Sequence, residues 1–169
     1  WTPFDASLLL FRDRDLFREA FSIVPEYIRT PDTGSVHNFN EYGIQLGRRF
    51  RALKLWVSLR AFGRARFAEA IERAFELAHY AESRLRAMPD WQVTTPPSLA
   101  ILTFRREVDG DADAFNRDLA ERLRLEGSGM VSTTRLGGRT VLRLCPINPR
   151  TTEADIDAVL DALEQLSRT

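Results

Sequence analysis

From Leu46 to Leu85 apolar side chains return every three or four residues, and from Trp91 onward that rhythm stops. A chain written this way must fold as a helical half followed by a mixed half. In the first run Leu46, Phe50, Leu53 and Val57 follow at steps of four, three and four, with Trp56 and Leu59 widening the stripe. A period near 3.6 puts them on one side of a helix, while Arg48, Arg49, Arg51 and Lys54 fill the other angles. The spacing predicts a helix over 47–62 that stops at Gly63, a residue type suited to helix C-termini. A second helix follows on Phe67, Ile71, Ala74, Ala78, Ala81 and Leu85, closed by Pro89.

Beyond Pro89 the pattern is that of short strands and capped helices. WQVTT (91–95) and LAILTFRR (99–106) read as strands separated by the prolines at 96 and 97. Phe115, Leu119 and Leu123 mark a helix over 112–127, stopped by Gly127. MVSTTRL (130–136) and RTVLRLC (139–145) flank paired glycines, which permit the positive φ of a tight hairpin. Thr152 and Asp155 have the spacing of a capping box ahead of a last helix on Ile156, Val159, Leu160, Leu163 and Leu166. The order is a helical half, then β-α-β-β-α, which is an α+β fold. Upstream, SLLLFRD (7–13) predicts a short buried strand and RDLFREAF (14–21) a short helix. The stretch 24–42 holds Pro25, Pro31 and Gly34 without any period, and such long loops often cover a site.

Charge narrows the function classes. The 24 Lys and Arg balance the 24 Asp and Glu, so no net field favours nucleic acid or an anionic membrane surface. The arginine strip at 48–51 is therefore read as a brace toward neighbouring acids and a partner copy, not as a phosphate site. Lys54 is the only lysine. A single cysteine, Cys145, excludes an internal disulfide and fits a reducing compartment, so a cytoplasmic protein is expected. Its apolar run predicts a buried, inert thiol. His37 and His79 with that one cysteine give no zinc spacing, and no apolar run approaches the ~20 residues of a membrane span. His37 reads as a solvated loop residue and His79 as structural. No metal, membrane or nucleic-acid partner is expected.

Five stretches together are similar to the carboxy-terminal portion of the pyridoxal-phosphate-dependent group II amino-acid decarboxylases, the family of aromatic-L-amino-acid, histidine and plant tryptophan and tyrosine decarboxylases. They are PFDAS, AFSIVPEYI, YGIQLGRRFRALKLWVSLRAFG, LTFR and VLRLCPINPRTTEADID, in the family's order. The resemblance implies the small carboxy-terminal domain of a fold-type I enzyme. Residues 1–45 would be a strand, short helix and active-site lid continuing from a large cofactor domain. Residues 46–90 would be connecting helices, and 91–169 the small α+β domain. The family's cofactor lysine stands in a His-Lys-Trp tripeptide, which places it just upstream of Trp1. The resemblance therefore implies that pyridoxal 5'-phosphate is held by the whole protein and that this chain alone is inactive. The spacing from Trp1 to Phe4 and Asp5 is shorter than the family's usual one.

The cofactor of such an enzyme supplies the electron sink as carbon dioxide leaves. The protein must add orientation, exclusion of water and a proton for the α-carbon. Tyr27 matches the tyrosine of the family's mobile loop, implied to help deliver that proton; a phenol with pKa ~10 is a protonated donor at neutral pH. Relatives with phenylalanine there lean toward oxidative deamination to aldehydes. Gly47 matches a position where glycine accompanies bulky aromatic substrates, for want of a β-carbon beside the ring. Arg143 resembles the carboxylate-binding arginine of related aminotransferases, a task suited to a guanidinium fork. An amino-acid substrate, an aromatic one, and a homodimeric enzyme are the expectations. The competing expectation is a non-catalytic homologue serving as a dimerisation or interaction module.

Overall fold

The computed structural model describes residues 5, 7–21 and 39–168. The chain forms two compact units, Trp1–Gly63 and Arg64–Thr169.

In the first unit, helix α1 (Arg14–Phe21) appears where the sequence predicts it. Asp13 caps it, its Oδ1 accepting the backbone N–H of Asp15 and Leu16 at 3.0 Å. The expected strand over 7–13 does not form: Leu8, Leu9 and Leu10 are exposed and in no ladder. Apolar runs become strands only beside a partner, and all four described strands pair with one another in the second unit. A single 3-10 turn spans Phe39–Glu41. Helix α2 (Ala52–Ala87) begins five residues later than the predicted 47, so Leu46 to Phe50 precede it. The stop at Gly63 is present as a break, with φ 78° and ψ 159° inside the helical run. That ψ is extended, so the residue does not form a left-handed cap, and helix resumes at once.

The second unit carries the core. Its sheet is antiparallel with strand order β1-β2-β4-β3, from β1 (Trp91–Ser98), β2 (Ile101–Arg106), β3 (Ser132–Leu136) and β4 (Arg139–Leu144). Leu102 pairs with Leu144 and Phe104 with Leu142. Because side chains alternate across a strand, these four share one face. They pack with Leu77, Ala78, Ala81 and Leu85 of α2, Leu119 and Leu123 of α3 (Ala112–Glu126), and Ile156, Leu160 and Leu163 of α4 (Glu153–Leu166). The apolar stripe predicted for α2 holds from Ala74 onward, whereas Ile71 is exposed.

Local chemistry sets the boundaries. Asp111 caps α3 and Gly127 ends it with φ 81°. The Thr152–Asp155 capping box is complete. Gly137 and Gly138, at φ 55° and 79°, make the β3–β4 turn. The first hairpin departs from expectation: Pro96 and Pro97 lie within β1, and the turn falls on Leu99 and Ala100, at φ 48° and 61°. An edge strand tolerates prolines because one side of its backbone needs no ladder partner, and the register slips around Thr95 accommodate them.

Candidate functional site

Tyr27 and His37 lie outside the described residues. Gly47 is in the first unit, exposed, five residues before α2, and no atom of the described residues lies within 4 Å of where its β-carbon would be. It therefore does not start the helix as expected, and among the described residues no neighbouring atom demands glycine there.

The arginines around Gly47 divide their work. Arg51 Nε donates to Asp5 Oδ2 at 2.7 Å, and Lys54 Nζ donates to the Asp5 carbonyl at 3.2 Å. The Arg51 hydrogen bond is the main cause that holds the Asp5 carboxyl down to about 2. Arg48 instead reaches backbone, donating to Phe39 O at 3.1 Å and Gln45 O at 3.5 Å. Among the described residues, the expectation of acidic partners holds for Arg51 and not for Arg48. Since Lys54 is bound by Asp5 at both its carboxylate and its carbonyl, the chain's one amine is committed to an ion pair. The described residues thus do not fit a resident pyridoxal cofactor by themselves, and no chemical step is assigned through it on this chain.

Arg143 stands in the second unit, on the sheet face opposite the helices. It pairs with Thr103 of β2 on one side and Ser132 of β3 on the other, and Thr103 pairs with Thr95 of β1. Paired residues share a face, so Thr95, Thr103, Arg143 and Ser132 form one polar row across all four strands. The Thr95 and Thr103 hydroxyls hydrogen-bond to each other, and Ser132 Oγ donates to the Arg143 carbonyl at 3.5 Å. The next cation on this face, Arg105, is buried and already paired: its Nε is 3.1 Å from Glu107 and its Nη1 3.2 Å from Asp113. Its Nη1 also donates to Thr140 O at 3.2 Å. Arg143 has no carboxylate against it among the described residues, so the row presents a partly buried guanidinium flanked by hydroxyls. That arrangement can take an anion. The three hydroxyl residues went unnoticed in the sequence, although strand alternation plus register would have placed them.

His79 is exposed on α2, with Nδ1 3.6 Å from Glu82 Oε2, and fills no core position. Cys145 follows β4 directly and is partly buried, not the fully enclosed thiol expected. Among the described residues no group of three or more His, Cys, Asp or Glu is placed to hold a metal ion. No described helix is long and apolar enough to cross a membrane.

Comparison with known proteins gives this geometry its context. The family model of the pyridoxal-dependent decarboxylase conserved domain matches residues 1–107. An aromatic-L-amino-acid decarboxylase of Bacillus atrophaeus is 38% identical over 98% of this chain and 36% of its own length. Among solved structures, an Oryza sativa TDC with PLP and tryptamine superposes with a TM-score of 0.79 at 28% identity, covering 89% of this chain and 33% of that one. A Catharanthus roseus tryptophan decarboxylase in complex with L-tryptophan gives 0.70 at 26% identity, covering 77% and 29%. The chain spans about a third of the length of these relatives. With a family model matched over more than half of its residues, the chain belongs to the pyridoxal-dependent decarboxylases.

Proposed function

We propose that this chain is the carboxy-terminal portion of a pyridoxal-phosphate-dependent carboxy-lyase that converts an aromatic L-amino acid to its amine and carbon dioxide. The observation that carries it is the 38% identity to an aromatic-L-amino-acid decarboxylase across 98% of the chain. When bound by the whole protein, the cofactor supplies the electron sink for the pair left behind by carbon dioxide. This chain's residues orient the substrate, exclude water and return a proton. Tyr27, which matches the family's loop tyrosine in sequence, delivers that proton to the α-carbon. Gly47 leaves room for the substrate ring. Arg143, with the hydroxyls beside it, holds the substrate's anionic end loosely enough for the carboxylate to depart. The cofactor lysine stands upstream of Trp1, and this chain alone is inactive. The working enzyme is a cytoplasmic homodimer.

The experiment is a panel of L-amino acids offered to the whole protein loaded with pyridoxal phosphate. Carbon dioxide and amine released in equal amounts from aromatic members, and little from acidic ones, is the expected result. No carbon dioxide from any member would overturn the proposal.

A second reading, a non-catalytic dimerisation or interaction module, is favoured by one observation. Phe50, Leu53, Trp56, Val57 and Phe62 of the first unit are all exposed in the chain taken alone. Under that reading the whole protein binds a second copy and releases nothing from the panel.

A further inference from the structure

Gly43 and Gly47, both in the first unit, meet opposite surroundings. The space a β-carbon on Gly43 would enter is taken by the Arg48 guanidinium, whereas no atom of the described residues lies within 4 Å of the same point on Gly47. Gly43 is therefore glycine for an internal reason, the passage of an arginine. Gly47 has no such reason among the described residues, so its lack of a side chain serves whatever comes up against it from outside them.

Arg48, the next residue after Gly47, folds back over Gly43. Its Nη2 donates to Phe39 O at 3.1 Å and its Nε, more weakly, to Gln45 O at 3.5 Å. Phe39 O also accepts from the Tyr42 N–H at 3.2 Å, so the turn and the arginine share one carbonyl. The chain from 39 to 48 is thus closed on itself by a side chain, and Gly47 lies between the Gln45 carbonyl and the residue that binds it.

The start of this loop is anchored in turn. Glu41, 9% exposed, is the one buried residue among those described in the first unit. A buried acid persists only when it is paired, and Arg18 of α1 makes an ion pair with it. Arg14, one turn earlier, donates from Nε to the Tyr42 hydroxyl at 2.7 Å, and its guanidinium lies 5.5 Å from the centre of that ring. Phe17 stacks on the same ring with centroids 6.2 Å apart. Residues 41 and 42 are fixed to a helix, and Arg48 ties the neighbours of Gly47 to the same turn.

We propose that Arg48, folded over Gly43, is a positioning residue for substrate selection: it holds Gly47 where a bulky substrate ring passes, with Arg18–Glu41 and Arg14–Tyr42 as the anchor. The proposal rests on the assignment of Gly47 to the ring given above. A wall that admits one ring and not another works only when held within ~0.5 Å of its place. Arg48 touches no reacting atom and acts through Gly47.

The test uses the whole protein with its cofactor and two probes of different ring size, L-tryptophan and L-tyrosine. Each is read as KM, or as Ki where it is not turned over. Arg48→Met keeps the stem and removes the donors; it is expected to raise the value for L-tryptophan about fivefold and that for L-tyrosine by less than about twofold. Gly43→Ala displaces the same guanidinium from the other side and should give the same split. Arg48→Lys, which keeps a donor for Phe39 O, should recover part of the loss.

Unchanged values for both probes in Arg48→Met overturn the proposal. So does an equal rise for both, or a fall in kcat with no split, since either marks a merely structural role. Gly47→Ser run alongside separates the two ideas. If it leaves the ratio between the probes unchanged, the assignment of Gly47 to the ring fails, and the hold on Gly47 is judged by backbone amide exchange of residues 43–47 in the whole protein. Several-fold faster exchange in Arg48→Met, slowed again in Arg48→Lys, supports the hold. An unchanged exchange rate overturns it.

Discussion

Gly129 illustrates how one missing carbon sets a packing distance. A β-carbon there would stand 2.5 Å from Val159 Cγ2 of α4, so Gly129→Ala should destabilise the second unit by about 1–3 kcal/mol through overpacking. Removing the obstruction in the double change with Val159→Ala should return part of that loss. Denaturant titration of the three variants checks it; equal midpoints for wild type and Gly129→Ala would contradict it. Asn116 is the complementary case, a fully buried amide with every strong contact used. Its Nδ2 donates to Arg106 O at 2.8 Å and Ala112 O at 2.7 Å, and its Oδ1 accepts from Arg106 N at 3.0 Å. It ties the end of β2 to α3, and Asn116→Leu should cost about 1–3 kcal/mol by orphaning the strand's backbone. Neither residue is conspicuous in the sequence. A glycine in a loop and an asparagine in a helix acquire meaning only from the element that folds against them.

At the scale of elements, the legible parts are those whose signal is local. The Gly127 stop of α3, the Thr152–Asp155 box of α4, the Gly137–Gly138 turn, the stripes of α3 and α4 and that of α2 from Ala74 onward appear where residue type and spacing place them. The first hairpin was misplaced because prolines usually mark turns, while Leu99 and Ala100 do not advertise positive φ. That turn carries a testable cost. Leu99 is 79% exposed at φ 48°, so Leu99→Asn, which tolerates the left-handed region, should stabilise the second unit by about 1 kcal/mol. The strand expected over 7–13 failed for a different reason, since a ladder partner is a property of the fold and not of the segment.

The caps also predict an acid response. Asp155 accepts the Thr152 backbone N–H and hydroxyl, each at 2.8 Å, and those hydrogen bonds hold its carboxyl below the ordinary value. The backbone N–H of Thr140 and then Arg105 do the same for Asp113. Folded values below the unfolded ones give stabilisation that is complete above the ordinary aspartate value of ~3.9 and lost as pH falls through the lowered values. Tm should therefore hold level from about pH 7 to 5 and fall below about pH 4. Asp155→Asn should flatten part of that fall, and a slope unchanged by the substitution would contradict the account of the cap.

For the molecule as a whole, the contrast between the units is the main result. Arg64–Thr169 encloses a complete core between three helices and one sheet face, whereas Leu8, Leu10, Phe50 and Trp56 of the first unit are exposed. Exposed apolar surface on this scale drives association. The 169-residue chain should self-associate in sedimentation at micromolar concentration, and Arg64–Thr169 prepared alone should stay monomeric; the reverse pattern would contradict the division. The candidate site divides along the same line. Arg143 and its row of hydroxyls could be located in the second unit once register was known, while Tyr27 rests on its motif.

Proton delivery by that tyrosine is the central claim, and product partition in the whole protein tests it most directly. Amine and aldehyde are quantified for wild type and Tyr27→Phe, with pyridoxal phosphate and a substrate that wild type decarboxylates. The account predicts that the variant loses most amine and forms aldehyde with peroxide in its place. Amine output equal to wild type, with no peroxide, would contradict it.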